Sequence, residues 1–540
     1  MNTMRGLIMK SRLVFLLVFL AFCTSPLTGQ IRMEDPYAPE TQKQGFGMGG
    51  GIGAVTIDGE LYTALTLRPD FSIGKFGISL DLPLYINAEG DFRTKEWNHW
   101  DDIPDKIYYV RWARPDDPFY VRAGALDNVT LGYGLIVNNY TNTIDYPNVR
   151  RIGTRLNVKS GPFGLESFVA NLKEIGGPGL LGARLTYDGF GPFVIGVTAA
   201  ADVNPYKGLT DEDNDGFPDR VDDFPGDDAA ALDSDGDGIP DPEDLDRDGD
   251  GWADNPDAEG GDRLRDFWAR GDTLDSNVET DPDPFNVNRA DAPTMAEIGL
   301  DIGLPLNFLT SDWSKVYLYA QSAMMLHEEN SVAGVDSNGW GIGAPGFRID
   351  ITPPVNISMQ FGIEYRIFSK YFVGEFFNRT YDLERVKFQR VTLPSGRDSL
   401  IVETKASQLL PQITERMNGI YSSLSLDFFD LVRLHTVYQD YNGGVNDRSF
   451  YSALHLNTRM IPRISSAYAY YQKSHVLDGN LFETKDESTV LGYRLAYELT
   501  TGVNLVFGYR ETYVDKNGDG EISGSSETIS TTSIETVFSF

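Results

Sequence analysis

The sequence predicts an all-β protein, namely a transmembrane antiparallel up-and-down β-barrel of about 20 strands, within a range of roughly 16–22, that carries an irregular insertion. Three observations support this fold class. Apolar and polar residues alternate over stretches of about ten residues along most of the chain. The chain is rich in aromatic residues (12%) and contains 55 glycines among its 540 residues. Beyond the N-terminal leader, no stretch approaches the roughly 18 consecutive apolar residues typical of a transmembrane helix.

The N-terminus has the features of a secretory signal peptide. Lys10 and Arg12 precede the apolar run 13–22, and small or polar residues follow it. This run is shorter than the roughly 20 residues that a spanning helix needs, so we assign residues 1–30 to a signal peptide. The only cysteine, Cys23, lies in this leader after the bulky Phe22, which argues against a lipoprotein. The mature chain is therefore expected to lack disulfides and cysteine-ligated metals.

The stretch 355–370 illustrates the alternation on which the barrel prediction rests. Val355 and every second residue up to Ile367 are apolar or aromatic, whereas the residues between them are polar or small and include Glu364 and Arg366. A soluble sandwich also alternates, but its strands usually span about five or six residues. Longer strands whose second face mixes Arg and Glu with Gly favour a barrel with a polar interior. In a bilayer the sheet must close, because no strand edge can be left unpaired in hydrocarbon.

The end of the chain adds an independent signal. Ile534, Thr536, Phe538 and Phe540 share one face of the last strand, and Phe540 is the final residue. This pattern resembles the C-terminal strand of bacterial outer-membrane β-barrels, many of which are porins. The resemblance implies that the protein lies in the bacterial outer membrane, that it contacts outer-membrane lipid, and that the barrel assembly machinery recognises it through Phe540.

The alternation places twenty strands along the chain. They are predicted at 45–57, 60–72, 76–87, 106–114, 118–127, 151–160, 164–173, 180–188, 193–204, 293–307, 314–328, 340–352, 355–370, 415–428, 432–442, 448–458, 463–475, 488–499, 502–514 and 527–540. Short turns alternate with long polar connections, as expected of a barrel with short periplasmic turns and long outer loops. With both termini in the periplasm, strand parity puts the long connections outside the cell.

The predicted organisation follows from these strands. A periplasmic N-terminal tail at 31–44 follows the signal peptide, and the barrel comprises residues 45–204 and 293–540. Residues 205–292 interrupt it as an extracellular Asp-rich insertion between the ninth and tenth predicted strands.

The insertion contains a repeated acidic pattern, D-x-D-x-D-G-x-x-D-x-x-D, which occurs three times. Its aspartates are Asp211, Asp213, Asp215, Asp219 and Asp222 in the first copy, Asp233, Asp235, Asp237, Asp241 and Asp244 in the second, and Asp246, Asp248, Asp250, Asp254 and Asp257 in the third. Alternate carboxylates can converge on one hard cation, and the glycine permits the turn that brings later oxygens around it. The spacing therefore predicts calcium binding.

The three copies resemble thrombospondin type-3 repeats, which are calcium-stabilised and have almost no hydrophobic core. The resemblance implies that the aspartates named above are calcium ligands. The cysteines usual in animal members are absent here, so the internal support of this segment would depend more completely on calcium. A disordered acidic linker is the alternative interpretation.

The sequence allows two interpretations for each of two other connections and for one turn. Residues 128–150 are long and weakly charged, which fits either a loop folded into the lumen or a surface flap. Residues 384–405 fit either a separate hairpin or two additional wall strands. The sequence from Asp515 to Glu521 resembles the first half of an EF-hand loop, but a plain hairpin turn is equally compatible.

Charged residues on the polar strand faces also allow two interpretations. They are Arg111, Arg122, Arg155, Arg184, Arg366, Arg494, Arg510, Asp81, Glu166, Glu364, Glu498 and Glu535. Rings of charge in a lumen can select ions, but paired charges that brace the wall are the favoured interpretation.

The remaining features narrow the functional classes. Residues 211–257 hold twenty acidic and two basic residues, so a net charge of −18 out of −33 lies there, and no basic stripe supports nucleic-acid binding. The five histidines show no catalytic or metal-ligand spacing, so no enzymatic activity is expected. We expect a porin-like passive channel with an extracellular calcium-stabilised arm. The alternative is a barrel-anchored adhesion or scaffolding protein whose arm binds an extracellular protein or surface.

Overall fold

The computed structural model describes most of the chain from residue 45 to residue 539. Outside the described residues lie 1–44, 58–59, 89, 95–96, 98–102, 116, 145–149, 175–178, 207–221, 225, 228–229, 231–237, 241–293, 328–331, 333, 393–397, 430, 458–462, 502, 516–519, 521, 523–526 and 540. The predicted signal peptide, the N-terminal tail and most of the Asp-rich insertion therefore lie outside them.

The described strands form one closed antiparallel barrel and one separate hairpin. The barrel strands are β1 Gly45–Ile57, β2 Glu60–Ile73, β3 Phe76–Leu80, β4 Leu82–Ile86, β5 Ile107–Trp112, β6 Phe119–Gly124, β7 Gly153–Ser160, β8 Phe163–Val169, β9 Leu180–Phe190, β10 Phe193–Asp202, β11 Met295–Pro305, β12 Ser314–His327, β13 Trp340–Ile351, β14 Ile357–Phe368, β17 Met417–Phe428, β18 Val432–Asn442, β19 Asp447–Leu456, β20 Ile464–Leu477, β21 Val490–Thr500, β22 Val503–Tyr513 and β23 Thr528–Ser539. The hairpin consists of β15 Val386–Thr392 and β16 Asp398–Thr404. Two short helices flank this hairpin in the chain, α1 Tyr381–Glu384 before it and α2 Lys405–Leu409 after it.

Closure occurs between the first and last strands. β1 pairs with β23 in an antiparallel register that runs from Gly49 opposite Ser539 to Val55 opposite Ser533. The sheet contains 21 segments, but β3 and β4 are two parts of one wall strand that both pair with β2, so the wall has 20 strands. The predicted number of strands is confirmed, and Asp81 marks the break within the strand predicted at 76–87.

The two ends of the barrel differ in the length of their connections. One end carries short connections such as 74–75, 161–162 and 191–192, and we call it the short-turn end. The opposite end carries the connections 87–106, 125–152, 203–294, 369–416, 478–489 and 514–527, and we call it the long-loop end. The predicted alternation of short and long connections therefore holds for most of the described strands, with two exceptions at the long-loop end, where β1 and β2 and also β18 and β19 are joined by only a few residues.

The outer face of the wall is apolar, as a lipid-facing surface requires. Ile298, Leu300 and Ile302 of β11 are each more than 40% exposed, and they alternate with Glu297, Gly299 and Asp301 on the inner face. Exposed aromatic residues gather at the short-turn end, where barrels place an interfacial girdle. They are Trp112, Phe119, Phe163, Phe190, Trp313 and Phe428. The fold is therefore a transmembrane antiparallel β-barrel.

Helical segments contribute little to the described structure. None of the helices among the described residues has the length and apolar character needed to cross a membrane.

Candidate functional site: the lumen and two inserted loops

Two connections from the long-loop end fold into the lumen and pair with each other. We call residues 125–152 the first inserted loop and residues 369–416 the second inserted loop. Val137 and Phe377 form a parallel β-bridge, and the backbone N–H of Glu375 donates to the carbonyl of Leu135 at 2.7 Å. The backbone N–H of Leu135 also donates to Gln321 on the inner wall. The described part of 128–150 thus lies in the lumen, which decides between the two possibilities that the sequence left open.

An apolar cluster joins both loops to the inner wall. Aromatic residues of the second inserted loop, Phe372, Phe376 and Phe377, are fully buried in it. Wall residues close the cluster on the barrel side, and these are Phe168, Ala170, Leu180, Ala200, Met295, Ala323, Met325, Phe368, Met417 and Tyr441. The inner face of the wall is therefore apolar near the long-loop end, because inserted loops rather than water cover it.

Sequence reasoning missed this role of the second inserted loop. The stretch from Tyr371 to Asn378 reads YFVGEFFN, which is unusually apolar for a connection that was expected to lie in water. Such a stretch needs a surface on which to bury its aromatic rings. In the described structure the lumen provides this surface through the apolar cluster on the inner wall.

Arg366 is the main charged anchor of the second inserted loop. Its guanidinium lies 3.1 Å from Glu364 on the same strand and 2.9 Å from Glu375 of the loop. It also stacks over the ring of Tyr421 at 4.0 Å. Gln439 donates a further hydrogen bond to Glu375 at 2.6 Å. Because these groups are fully or almost fully buried, loss of the arginine would leave two carboxylates without a countercharge in a dry environment.

A second anchor lies where the Asp-rich insertion leaves the wall. Asp202, the last residue of β10, accepts a hydrogen bond from the Tyr381 hydroxyl at 2.8 Å and lies 3.2 Å from the Arg385 guanidinium. Arg385 also donates to the carbonyl of Asn204 at 3.0 Å. Burial and the charge of Asp202 raise the pKa of Tyr381, so its hydroxyl remains a donor. The root of the insertion is therefore bonded to the second inserted loop.

Two further contacts tie the loops together. Asp382 lies 3.4 Å from Arg151 and accepts a hydrogen bond from the Tyr140 hydroxyl at 2.9 Å. Within the second inserted loop, Lys405 lies 2.9 Å from Glu384 and donates to the Phe376 carbonyl at 3.0 Å. Burial acts to raise the pKa of Glu384, but the charges of Lys405 and His475 outweigh it and lower that pKa.

The hairpin formed by β15 and β16 is separate from the wall. Its strands pair only with each other among the described strands, so the hairpin interpretation of 384–405 is correct. Lys387 of this hairpin lies 2.9 Å from Glu487 in the connection 478–489. Burial acts against both charges, yet their attraction raises the pKa of Lys387 and lowers the pKa of Glu487.

Charges line the inner wall away from the apolar cluster. Arg184 forms a bidentate pair with Asp301, with distances of 2.6 and 2.9 Å, and lies 3.6 Å from Glu166. Gly196 permits this pair to lie flat on the wall, because an added Cβ would come within 2.3 Å of the Asp301 carboxylate. Arg68 lies 3.0 Å from Asp81. These pairs support the interpretation that wall charges brace the barrel.

Most of the predicted calcium ligands lie outside the described residues. Asp222 is described and buried, and its carboxylate accepts a hydrogen bond from the Phe224 backbone at 2.8 Å. Gly238, the glycine of the second copy, has a positive φ of 89°, as the turn in the pattern requires. No group of three or more acidic or histidine side chains within the described part of the chain is placed to hold a metal ion. Calcium binding therefore stays a prediction.

The described part of the turn at 515–527 is compatible with both interpretations of its sequence. Asp515 accepts a hydrogen bond from the Gly520 backbone at 2.7 Å, a contact that both an EF-hand-like loop and a hairpin turn allow. Residues 516–519 and the C-terminal Phe540 lie outside the described residues.

Comparisons with known proteins identify no family for this chain. No family model and no curated protein match the sequence. Among solved structures, OccK11 (OpdR) from Pseudomonas aeruginosa matches over 92% of this chain and 95% of its own, with 9% identity and a TM-score of 0.28. The carbohydrate-binding outer-membrane barrel Wzi from Escherichia coli matches over 91% and 84%, with 10% identity and a TM-score of 0.29. CdiB from Acinetobacter baumannii matches over 93% of this chain, with 7% identity and a TM-score of 0.25, and this chain spans 61% of its length. At these scores the matches assign no activity.

Proposed function

We propose that this protein is a narrow, porin-like passive channel of the bacterial outer membrane. The proposal rests on the difference between two parts of the lumen. Two inserted loops constrict it near the long-loop end, while charged side chains line the inner wall elsewhere. A constriction above a hydrated, charged wall suits passage of small polar solutes. Barrels of this kind place short turns in the periplasm, so the long-loop end and residues 205–292 would face outward.

Single-channel recording in planar bilayers tests this function. The purified full chain is expected to give small conductance steps, because the inserted loops occupy part of the lumen. A variant in which a short Gly-Ser linker replaces residues 371–414 is expected to give steps several-fold larger. A variant lacking only residues 389–401, the outer part of the β15–β16 hairpin, serves as the control and should conduct like the unmodified protein. Absence of conductance steps in all three proteins would exclude the channel.

The second part of the proposal is that residues 205–292 form a calcium-stabilised arm outside the cell. Support comes from the repeated aspartate spacing and from the density of charge, with twenty acidic residues between 211 and 257. Two like charges about 4 Å apart repel by roughly 1 kcal/mol even in bulk water, so such crowding favours an expanded arm unless cations bind.

Limited proteolysis of the arm tests calcium dependence. Cleavage between residues 205 and 292 is expected to be at least tenfold slower in millimolar calcium than in chelator. A variant with Asp235→Asn, Asp237→Asn and Asp248→Asn should lose much of this protection, whereas Asp188→Asn, near the short-turn end of β9, should leave it unchanged. Equal cleavage rates with calcium and with chelator would refute the calcium-stabilised arm.

One observation favours an alternative function, a surface adhesion or scaffolding protein. The root of the arm is anchored through Asp202 to a densely packed loop assembly, which would give an external binding arm a firm base. Deletion of residues 205–292 separates the two functions. If the deletion removes cell-surface attachment and leaves conductance unchanged, both functions reside in this chain. If attachment is unchanged, the adhesion function is excluded.

A further inference from the structure

Three arginines lie side by side on the inner wall of β5, β6 and β7. Arg111 is directly opposite Arg122 across the β5–β6 pair, and Arg122 is directly opposite Arg155 across the β6–β7 pair. We call these residues the arginine row. Cβ atoms at directly opposite positions are only about 5 Å apart, and like charges at such positions destabilise a sheet. The row is therefore an energetically unfavourable arrangement if bracing the wall is its only role.

The neighbours of the row do not supply matching acidic residues in register. Arg111 is directly opposite Gly77 across the β3–β5 pair, and Arg155 is directly opposite Phe168 across the β7–β8 pair. Gly77 leaves space that the guanidinium of Arg111 occupies, since an added Cβ would lie 3.0 Å from Arg111 Nε. The row thus ends in uncharged residues on both sides, unlike Arg184, whose register neighbour across β8 is Glu166.

The ring of Tyr109 and one carboxylate organise part of the row. Arg122 lies 4.9 Å from the centroid of the Tyr109 ring, and Arg111 lies 5.9 Å from it. Arg122 also lies 3.1 Å from Asp127 of the first inserted loop. These contacts fix two guanidinium groups in place, so little side-chain entropy remains to be lost when an anion binds.

Arg155 is the accessible member of the row. Its side chain is half-buried, and among the described residues it has no hydrogen-bond or ion-pair partner. It therefore offers a guanidinium with free donors beside two arginines that are already positioned. A guanidinium matches the geometry of carboxylate and phosphate oxygens through paired N–H donors.

We propose that the arginine row binds small oxyanions, phosphates and carboxylates, in the lumen. Because the row faces the inside of the barrel, the ligand is a dissolved solute rather than a lipid headgroup. The consequence for permeation rests on the proposed channel function: the row concentrates anions and makes the lumen favour them over cations. Binding itself does not depend on that function.

Phosphate binding to the purified full-length protein tests the site. Calorimetric titration with inorganic phosphate at low ionic strength is expected to show saturable binding that weakens as salt is raised. Arg155→Gln is expected to weaken binding at least tenfold, because it removes a charge-assisted pair of hydrogen bonds. Arg155→Lys keeps the charge without the paired donors and should give an intermediate affinity. Arg348→Gln is the control, since Arg348 is a half-exposed inner-wall arginine paired with Asp350 at 2.9 Å.

Reversal potentials under a potassium chloride gradient provide the second measurement. The anion preference of the unmodified channel should fall in Arg155→Gln and persist in Arg348→Gln. If the protein conducts but binds no phosphate, or if Arg155→Gln and Arg348→Gln behave alike in both assays, the oxyanion site is wrong and the channel stands. If phosphate binds in an Arg155-dependent manner without conductance, the site stands and the channel is wrong.

Discussion

The lumen has two regions that differ in what covers the inner wall. Near the long-loop end, residues such as Met325 and Phe368 face inward, and the inserted loops bury them completely. Around the β2, β21 and β23 strands, the inward residues include Arg68, Arg494 and Glu535, and their ion pairs are partly exposed. The same two-residue alternation builds both regions. The inward residues are therefore apolar where the inserted loops cover the wall and charged where their side chains stay partly exposed.

This difference also separates two kinds of electrostatic interaction. Charges in the loop-filled region are few and fully desolvated, so each one needs a complete set of partners. The charged side chains around β2, β21 and β23, which we call the open region, remain partly exposed, so an imperfect pair costs less there. Equivalent substitutions in the two regions should consequently lower the free energy of unfolding by different amounts.

The largest expected effect comes from Arg366→Met in the loop-filled region, compared with Arg494→Met in the open region. Removal of Arg366 leaves Glu364 and Glu375 buried without a countercharge, at a cost of about 3–5 kcal/mol. Arg494 lies 3.9 Å from Glu535, and Arg68 at the same distance remains as a second countercharge, so loss of Arg494 should cost at most about 1 kcal/mol. Urea unfolding of the folded barrel, followed by tryptophan fluorescence, measures both. Equal shifts of the two midpoints would contradict the distinction between the regions.

A smaller effect is expected from Tyr381→Phe. The substitution removes the hydroxyl donor to the fully buried Asp202 while Arg385 remains, and loss of one such hydrogen bond costs about 1–3 kcal/mol. Tyr438→Phe is the matched control, because the hydroxyl of the exposed Tyr438 donates to Asp440, which is only partly buried. Hydrogen exchange at residues 376–385 should rise in the first variant only. Unchanged exchange there would show that Asp202 does not hold the second inserted loop.

The smallest expected effect is on the local stability of the β15–β16 hairpin, and it depends on pH. The pKa of Glu487 is lower in the folded protein than in the unfolded chain, where it is about 4.3. The stabilisation that the Glu487 carboxylate contributes is therefore present above about pH 4.3 and is lost as the pH falls through the folded pKa. The folded pKa of Lys387 is raised, so its contribution persists at neutral pH and is lost only in strong base. Protease cleavage within 386–404 should therefore accelerate below about pH 4.

Glu487→Gln provides the comparison for that measurement. Cleavage in this variant should already be faster at pH 7 and should change less on acidification than in the unmodified protein. The exposed Lys485, which pairs with the partly buried Glu511, offers a control position, since Lys485→Gln leaves the pair of Lys387 and Glu487 intact. An acid-dependent cleavage rate that Glu487→Gln does not alter would contradict this account.

The strands could be predicted because their pattern is local. The alternation from Val355 to Ile367 is visible without any knowledge of neighbouring strands, and the observed strand Ile357–Phe368 lies within the predicted one. The twenty-strand wall follows from repeating this argument along the chain. The break at Asp81 was not predictable in the same way, because it depends on contacts with Arg68 and with the Lys106 carbonyl.

The arrangement of the lumen could be predicted only in part. The charged inner-wall residues were identified from the alternation, but their registers were not, so the arginine row was not visible in the sequence. The bridge between Val137 and Phe377 joins two connections that are far apart in the chain. No local pattern specifies such a contact, although the aromatic stretch 371–378 carries a signal that it must be buried.

The anchoring of Asp202 has a mechanical consequence. Residues 205–292 join the barrel through the ends of β10 and β11, where Thr294 donates to the Val203 carbonyl at 3.4 Å. Tension applied to the insertion enters the wall at these two strand ends. On the β10 side the load passes through the bond from Arg385 to the Asn204 carbonyl and then through the bonds from Asp202 to Tyr381 and Arg385. A pull on the outside of the molecule is therefore transmitted directly to the loop that narrows its interior.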